Sequence, residues 1–414
     1  MAVKVVFCYN VRMRQISLFV CATVLALNSF AAFSPAGTVT FTDLRTIAAH
    51  VESLARGKSD LLLSQTLPQT IRNQGAARLF GPMRRGMPGV AVCYVDAALL
   101  AKLTASRSTK ESDYDRAKRW AVLYPASIDR ANFLKRHPNA VKEKNGAFRI
   151  PPGPHSRRTF WVMWSADGQW ASLAPTPSMA VHVHTAAAVA LRRPLNNGEL
   201  AFVRMDAAGA RAVFQSDSCA GASISVRMTQ AGLELWGTVR AAGVRLPLPP
   251  GATSFKHVPP NAPFFGVTSS PDDVRSTDVF SFAGPEVSAF VKKSLAFVKA
   301  QGYSTYFLNG SPSSLPPPKA RLAAILPEAA SRQAVNVMFC SPTTVLRLYL
   351  PRVAATMMPL QSAKMQMGVR LLRRVRGDGM GLASWREGRE DRFLVRISRD
   401  ELYGTAGLWS MLFD

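Results

Sequence analysis

Acidic residues are scarce in this 414-residue chain: 26 Asp and Glu stand against 51 Lys and Arg, a formal net charge of +25. Cysteine is scarcer, at 5, which excludes a small domain held together by disulfides. The 27 glycines and 28 prolines recur without a triplet period, so a collagen-like rod is excluded as well. What is present is apolar surface. At 48% hydrophobic residues the chain can pack cores, which excludes wholesale disorder. At roughly 150 residues per domain, its length suggests two or three domains.

Lys4, Arg12 and Arg14 precede an uncharged run from Ile16 to Phe33, and no acidic residue occurs before Asp43. The most apolar part, Ile16 to Leu27, fits the core of a signal peptide and falls short of the roughly 20 residues that span a bilayer. Ser29 and Ala31 supply the small residues that a signal peptidase reads. Cleavage after Ala31 is therefore expected, with residues 1–31 as signal peptide and a periplasmic or extracellular destination. The alternative is an uncleaved anchor using the whole run to Phe33. Met13 also serves as a start. Removal of residues 1–31 takes three of the 25 excess positive charges, leaving +22, and leaves Cys93, Cys219 and Cys340. Cys219–Cys340 is the one pair considered for a disulfide.

Patterning predicts helices and hairpins without a regular βαβ rhythm, hence an α+β fold with antiparallel sheets and packed helices. Helices are expected over 43–56, 67–80, 96–103, 127–136, 176–192, 286–301 and from Ser398 through Trp409. Strands are expected over 89–95, 120–124, 148–150, 199–205, 264–267, 279–282, 335–339, 368–375, 381–385 and 392–397. Asp167-Gly168 and Ala231-Gly232 mark two hairpins, at 158–173 and 224–239. Residues 106–118 read as polar loop. Prolines between 247 and 263 suggest a stiff linker over 246–263. That linker divides an N-terminal domain, 40–245, from a C-terminal domain, 264–414, and the order of elements on its two sides suggests two similar domains.

Several stretches carry a resemblance. Tyr124-Pro125-Ala126-Ser127, Asn145-Gly146-Ala147-Phe148 and Asp167-Gly168-Gln169-Trp170, followed by a Pro-Ser helix start, are similar to a layout in exported bacterial proteins of unknown function from planctomycete-like and related bacteria. The resemblance covers about half of the chain. It implies an exported α+β protein and assigns no catalytic residue.

Motifs of chemistry are sparse. G-x-S-x-G and S-x-x-K nucleophile motifs and HExxH metal spacing do not occur. His182 and His184 would share a face on a strand, but the Pro177-Ser178 start places them on a helix, where they diverge. Gly377-Asp378-Gly379-Met380-Gly381 lacks a phosphate-loop lysine and reads as a turn. No cofactor or small-molecule ligand is implied. Adjacent acids such as Asp272-Asp273 read as solvated charges, and a hydrolase would need carboxylates assembled only by the fold.

Charge is the strongest signal. Arginine outnumbers lysine 37 to 14, and its planar fork suits phosphate and carboxylate groups. Arginines concentrate in the C-terminal strands, where Arg374 with Arg376 and Arg392 with Arg396 align. These four are the candidate polyanion-binding residues, with anionic envelope polymers or nucleic acid as partners bound without sequence preference. The sequence thus leads to an exported, non-enzymatic protein with a basic surface. The alternatives are a dedicated polyanion binder and an envelope hydrolase.

Overall fold

A computed structural model describes residues 33–43, 75–84, 86–106, 111–152, 158–214, 219–241, 246–269, 293–310, 316–328, 333–354 and 377–402. The stretch expected as a signal peptide, Arg374, Arg376, the helix expected at 43–56 and the strands expected at 279–282 and 368–375 lie outside these residues. The described chain is α+β, as expected: one antiparallel sheet of sixteen strands carrying eight helices.

In chain order the strands are β1 (Phe33–Phe41), β2 (Gly89–Asp96), β3 (Lys118–Pro125), β4 (Val141–Lys142), β5 (Phe148–Ile150), β6 (Phe160–Trp164), β7 (Trp170–Ala174) and β8 (Glu199–Met205). They continue as β9 (Cys219–Thr229), β10 (Gly232–Ala241), β11 (Phe264–Thr268), β12 (Leu295–Ala300), β13 (Tyr303–Leu308), β14 (Ala334–Cys340), β15 (Met380–Glu387) and β16 (Glu390–Ser398). Across the sheet the order is β12-β13-β11-β14-β15-β16-β10-β9-β8-β1-β2-β3-β7-β6-β5-β4. The ladder between β10 and β16 joins strands from the two sides of the proline-rich stretch, with Gly232 opposite Ser398 and Arg240 opposite Glu390.

The helices are α1 (Gly75–Phe80), α2 (Ala97–Ala105), α3 (Glu111–Ala117), α4 (Arg130–Arg136), α5 (Pro177–Leu191), α6 (Ala207–Phe214), α7 (Pro318–Ile325) and α8 (Pro342–Ala354). Apolar residues alternate between faces. Ala91, Cys93 and Val95 enter one core, shared with buried residues of α1, α2, α3, α4, α6 and α8, while Val90, Val92 and Tyr94 enter a second core under α5. In the other half Met338 and Cys340 join the first core, and Val337 and Phe339 pack beneath α7. Burial of both faces explains why strands such as Val90–Val95 are continuous apolar runs rather than alternating ones.

Local chemistry sets several element starts. Asp96 accepts from the Leu99 N–H at 2.9 Å and starts α2; Thr176 accepts from the Met179 N–H at 3.2 Å and starts α5, with Pro177 in its first turn. Each such cap contributes about 1 kcal/mol. In β12–β13 the turn residues Gln301 and Gly302 both adopt positive φ, 46° and 80°, so Ala300 pairs with Tyr303. The tight turn makes 295–300 a strand, where a helix was expected through Gln301.

Four further corrections concern helices. Residues 111–117 form α3 instead of loop, and Lys118 behind it is buried, with Nζ 2.7 Å from Asp115. None of α6, α7 and α8 was expected; Pro316-Pro317-Pro318 reads as a loop, but Pro318 opens α7. In α6, Gly209 looks like a breaker, but a Cβ there would lie 2.2 Å from the Ala36 carbonyl oxygen, so glycine lets the helix approach β1. In α8, Pro351 and several β-branched residues obscure the helical pattern.

The stretch expected as a linker is packed. Ala252, Phe255, Val258 and Ala262 are buried with α7 and β14, and Phe255 meets Phe265 edge to face. Arg321 of α7 holds the segment: its Nη1 donates to the Ala262 carbonyl and its Nη2 to the Pro260 carbonyl, both at 2.7 Å, and its Nε donates to the Pro316 carbonyl at 2.9 Å. The guanidinium also lies over the rings of Phe265 and Phe339. Burial lowers its pKa to about 10.

Candidate functional site

Of the four arginines chosen from sequence, Arg392 and Arg396 lie within the described residues, both on β16. Arg396 is largely buried. Its Nε donates to Glu234 Oε1 at 2.8 Å, its Nη2 to Glu328 Oε1 at 2.8 Å, and its Nη1 to the Ile325 carbonyl at 2.9 Å. Burial opposes its charge, but the two glutamates outweigh that and raise its pKa further. Arg392 is more exposed and pairs with Glu387 at 2.9 Å. Arg386 pairs with Asp391 at 2.9 Å. Arg386, Arg392 and Arg396 are thus distributed among acids of β10, β15 and β16 and Glu328 beyond α7, rather than forming one row.

The buried acids serve the scaffold in the same way. Glu199 at the start of β8 accepts both Nη groups of Arg193 at 3.1 Å, the Asn196 N–H at 2.9 Å and the Ser225 hydroxyl at 2.5 Å. Burial pushes its carboxyl up, but these donors prevail and hold it below the ordinary range. Glu401 follows β16 and reaches the start of α8. It accepts from the Thr343 N–H at 2.6 Å, the Thr343 hydroxyl at 3.1 Å and the Gly379 N–H at 3.0 Å, and the Ser341 hydroxyl lies 3.4 Å away. Here burial prevails, and the carboxyl is pushed up to about 7. Gly377 makes room for this contact, since a Cβ there would lie 2.0 Å from Glu401 Oε2.

Histidines and cysteines are dispersed. His182 is exposed on α5 beside Ser178, and His184 turns toward the Met163 carbonyl, so the two diverge as the helix requires. No group of three potential metal ligands assembles among the described residues. Cys93, Cys219 and Cys340 are all buried without a disulfide. Cys219 begins β9 and Cys340 ends β14; β10, β16 and β15 separate those strands, which removes the considered pair. Burial pushes the Cys93 thiol up to about 12.

A cationic surface lies elsewhere, at the β4 edge of the sheet. Residues 129–149 place Arg130, Lys135, Arg136, Lys142, Lys144 and Arg149 on the surface, against only Asp129 and Glu143. Rigid elements hold the group. Asp129 caps α4 by accepting from the Asn132 N–H at 2.8 Å, and Phe133 anchors the helix against Phe80, Trp164 and His137. The loop from β4 to β5 is fixed by the Glu143 N–H bond to Ala147 O at 2.8 Å and by Asn145 Nδ2 donating to Pro177 O at 3.2 Å. Arg130 lies over the Phe148 ring, 4.8 Å from its centroid, and Lys142 is the cross-strand partner of Phe148. One exposed cation therefore lies over this buried ring, and a second stands on the residue paired with it across the ladder. Glu143 is 3.6 Å from Arg149, which leaves Arg130, Lys135, Arg136, Lys142 and Lys144 outside that ion pair.

Sequence reasoning passed over this edge because the C-terminal strands hold more arginines. The signal was present as a short window with few acids. The fold is a continuous, doubly covered antiparallel sheet with a cationic edge. No family model matches the chain, and no curated protein or solved structure matches it either.

Proposed function

We propose that the chain is an exported, non-enzymatic protein of the bacterial envelope or exterior that holds anionic polymers against a basic surface. One observation carries the reading: acids such as Asp96, Glu199, Glu234 and Glu401 are taken into caps and internal ion pairs, while cations such as Arg130, Arg136, Lys142 and Lys144 stay exposed. With a net charge of +25, that division concentrates positive potential outside. The basic start, short apolar core and Ser29/Ala31 pair support export. The resemblance to exported bacterial proteins supports the same destination.

The hydrolase alternative draws less support. Glu199 and Glu401, two buried carboxylates, face backbone N–H groups, hydroxyls and Arg193. The test of the binding reading is equilibrium binding to dextran sulfate and to neutral dextran of equal length. Binding to the sulfated polymer alone is expected. Equal binding to both, or to neither, contradicts the reading.

We also infer that the scaffold comprises two similar halves. On each side of the β10–β16 ladder stands a strand, a helix and a hairpin, β8–α6–β9–β10 and β14–α8–β15–β16. Each leading strand also pairs with one further strand, β1 or β11. Hydrogen exchange tests this: two separable protection units of comparable stability are expected, and a single cooperative unit would argue against it.

A further inference from the structure

We propose that the α4–β4–β5 edge is the binding site for an acidic polysaccharide, with Arg130, Lys142 and Lys144 as its principal contacts. This rests on the binding reading above and locates it, away from the C-terminal arginines.

Three features of the edge converge. Its charge is only partly offset locally: six cations stand against two acids, Asp129 at the start of α4 and Glu143 beside Arg149. Its geometry is fixed, because Phe133 anchors α4, Arg130 lies over the Phe148 ring, and Lys142 is held in register with Phe148 across the β4–β5 ladder. A cation held over a ring loses less freedom on binding than a solvated one. Finally, β4 is an edge strand of only two residues, Val141 and Lys142. So short and charged an edge disfavours an added strand from a protein partner, while its side chains remain open to a chain of anionic groups.

The same residues favour a polysaccharide over a single-stranded nucleic acid, and the test below sets it against duplex DNA. Single-stranded nucleic acids are held by stacking on exposed aromatic rings. Here Phe133 and Phe148 are buried, 0% and 6% exposed, and the exposed apolar residue is Val141. The surface offers charges and hydrogen-bond donors without a platform for bases.

The experiment compares two triple variants that lose the same charge. The edge variant carries Arg130→Gln, Lys142→Gln and Lys144→Gln; the control carries Lys102→Gln, Lys256→Gln and Lys319→Gln, three exposed positions elsewhere. Binding of the full mature chain is measured against dextran sulfate, duplex DNA and anionic phospholipid vesicles across a salt series, with circular dichroism to verify folding. The edge variant is expected to lose about tenfold or more in dextran sulfate affinity and to flatten the salt slope by up to about three, the control by much less. Equal losses in both variants would overturn the site while leaving the binding reading intact, because the charge would then act diffusely. An edge variant impaired toward DNA or vesicles but not dextran sulfate would overturn the choice of ligand. Failure of the unmodified chain to bind dextran sulfate would overturn the binding reading itself.

Discussion

Glu234 of β10 and Arg396 of β16 are register partners across the ladder that joins the two halves of the sheet, and their side chains meet at 2.8 Å. They lie 162 residues apart in sequence. Arg396 reaches Glu328 as well, so one guanidinium links β10, β16 and the end of α7. It therefore belongs to the architecture, although its position in an arginine-rich strand suggested an outward role.

Arg396→Ala is expected to destabilise the protein by about 3 kcal/mol, because it strands Glu234 and Glu328 without their shared cation. Its effect on dextran sulfate affinity should be small while the protein remains folded. Arg392→Gln, in an exposed pair with Glu387, should cost less than about 1 kcal/mol. Urea titration of the two variants checks both values.

Glu401 gives the stability a pH dependence of definite sign. Its carboxyl is raised from the ordinary 4.5 to about 7, so the folded state binds this proton more tightly than the unfolded state does. The resulting stabilisation is complete below about pH 4.5 and is lost as pH rises through about 7, a change on the order of 3 kcal/mol. Glu199 acts oppositely. Its depressed pKa contributes stability that is lost only as pH falls below the ordinary carboxylate range. Denaturant midpoints between pH 5 and pH 8 should decline in the unmodified protein and flatten in Glu401→Gln.

Gly209→Val should destabilise the chain by about 1–3 kcal/mol or more, since the added Cβ would meet the Ala36 carbonyl oxygen at 2.2 Å. Gly146→Ala meets no atom within 4 Å, but its φ of +86° makes it a conformational change only. Thermal melts of the two variants separate packing from backbone conformation, with the larger loss expected at Gly209.

Much of the fold was legible where local chemistry decides it. The limits of β8 follow from its apolar run and flanking polar residues, α5 from Thr176 and Pro177, and the β9–β10 hairpin from the turn before Gly232. Residues 295–300 were read as helix because Leu295 and Val298 suit either period, and the turn at Gln301-Gly302 settles the matter through positive φ. The proposed binding surface was less legible. Arginine density pointed to β16, but whether an arginine faces outward depends on acids such as Glu234 and Glu328, which only the fold brings near. The edge at 129–149 depended in turn on β4 and β5 ending the sheet.

The measurement that tests the account most directly is the salt dependence of dextran sulfate binding by the unmodified chain. Counterion release predicts that log K falls linearly with log salt, with affinity dropping on the order of tenfold to hundredfold between about 50 and about 200 mM. Tight binding that persists unchanged across that range would contradict a basic surface as the basis of recognition.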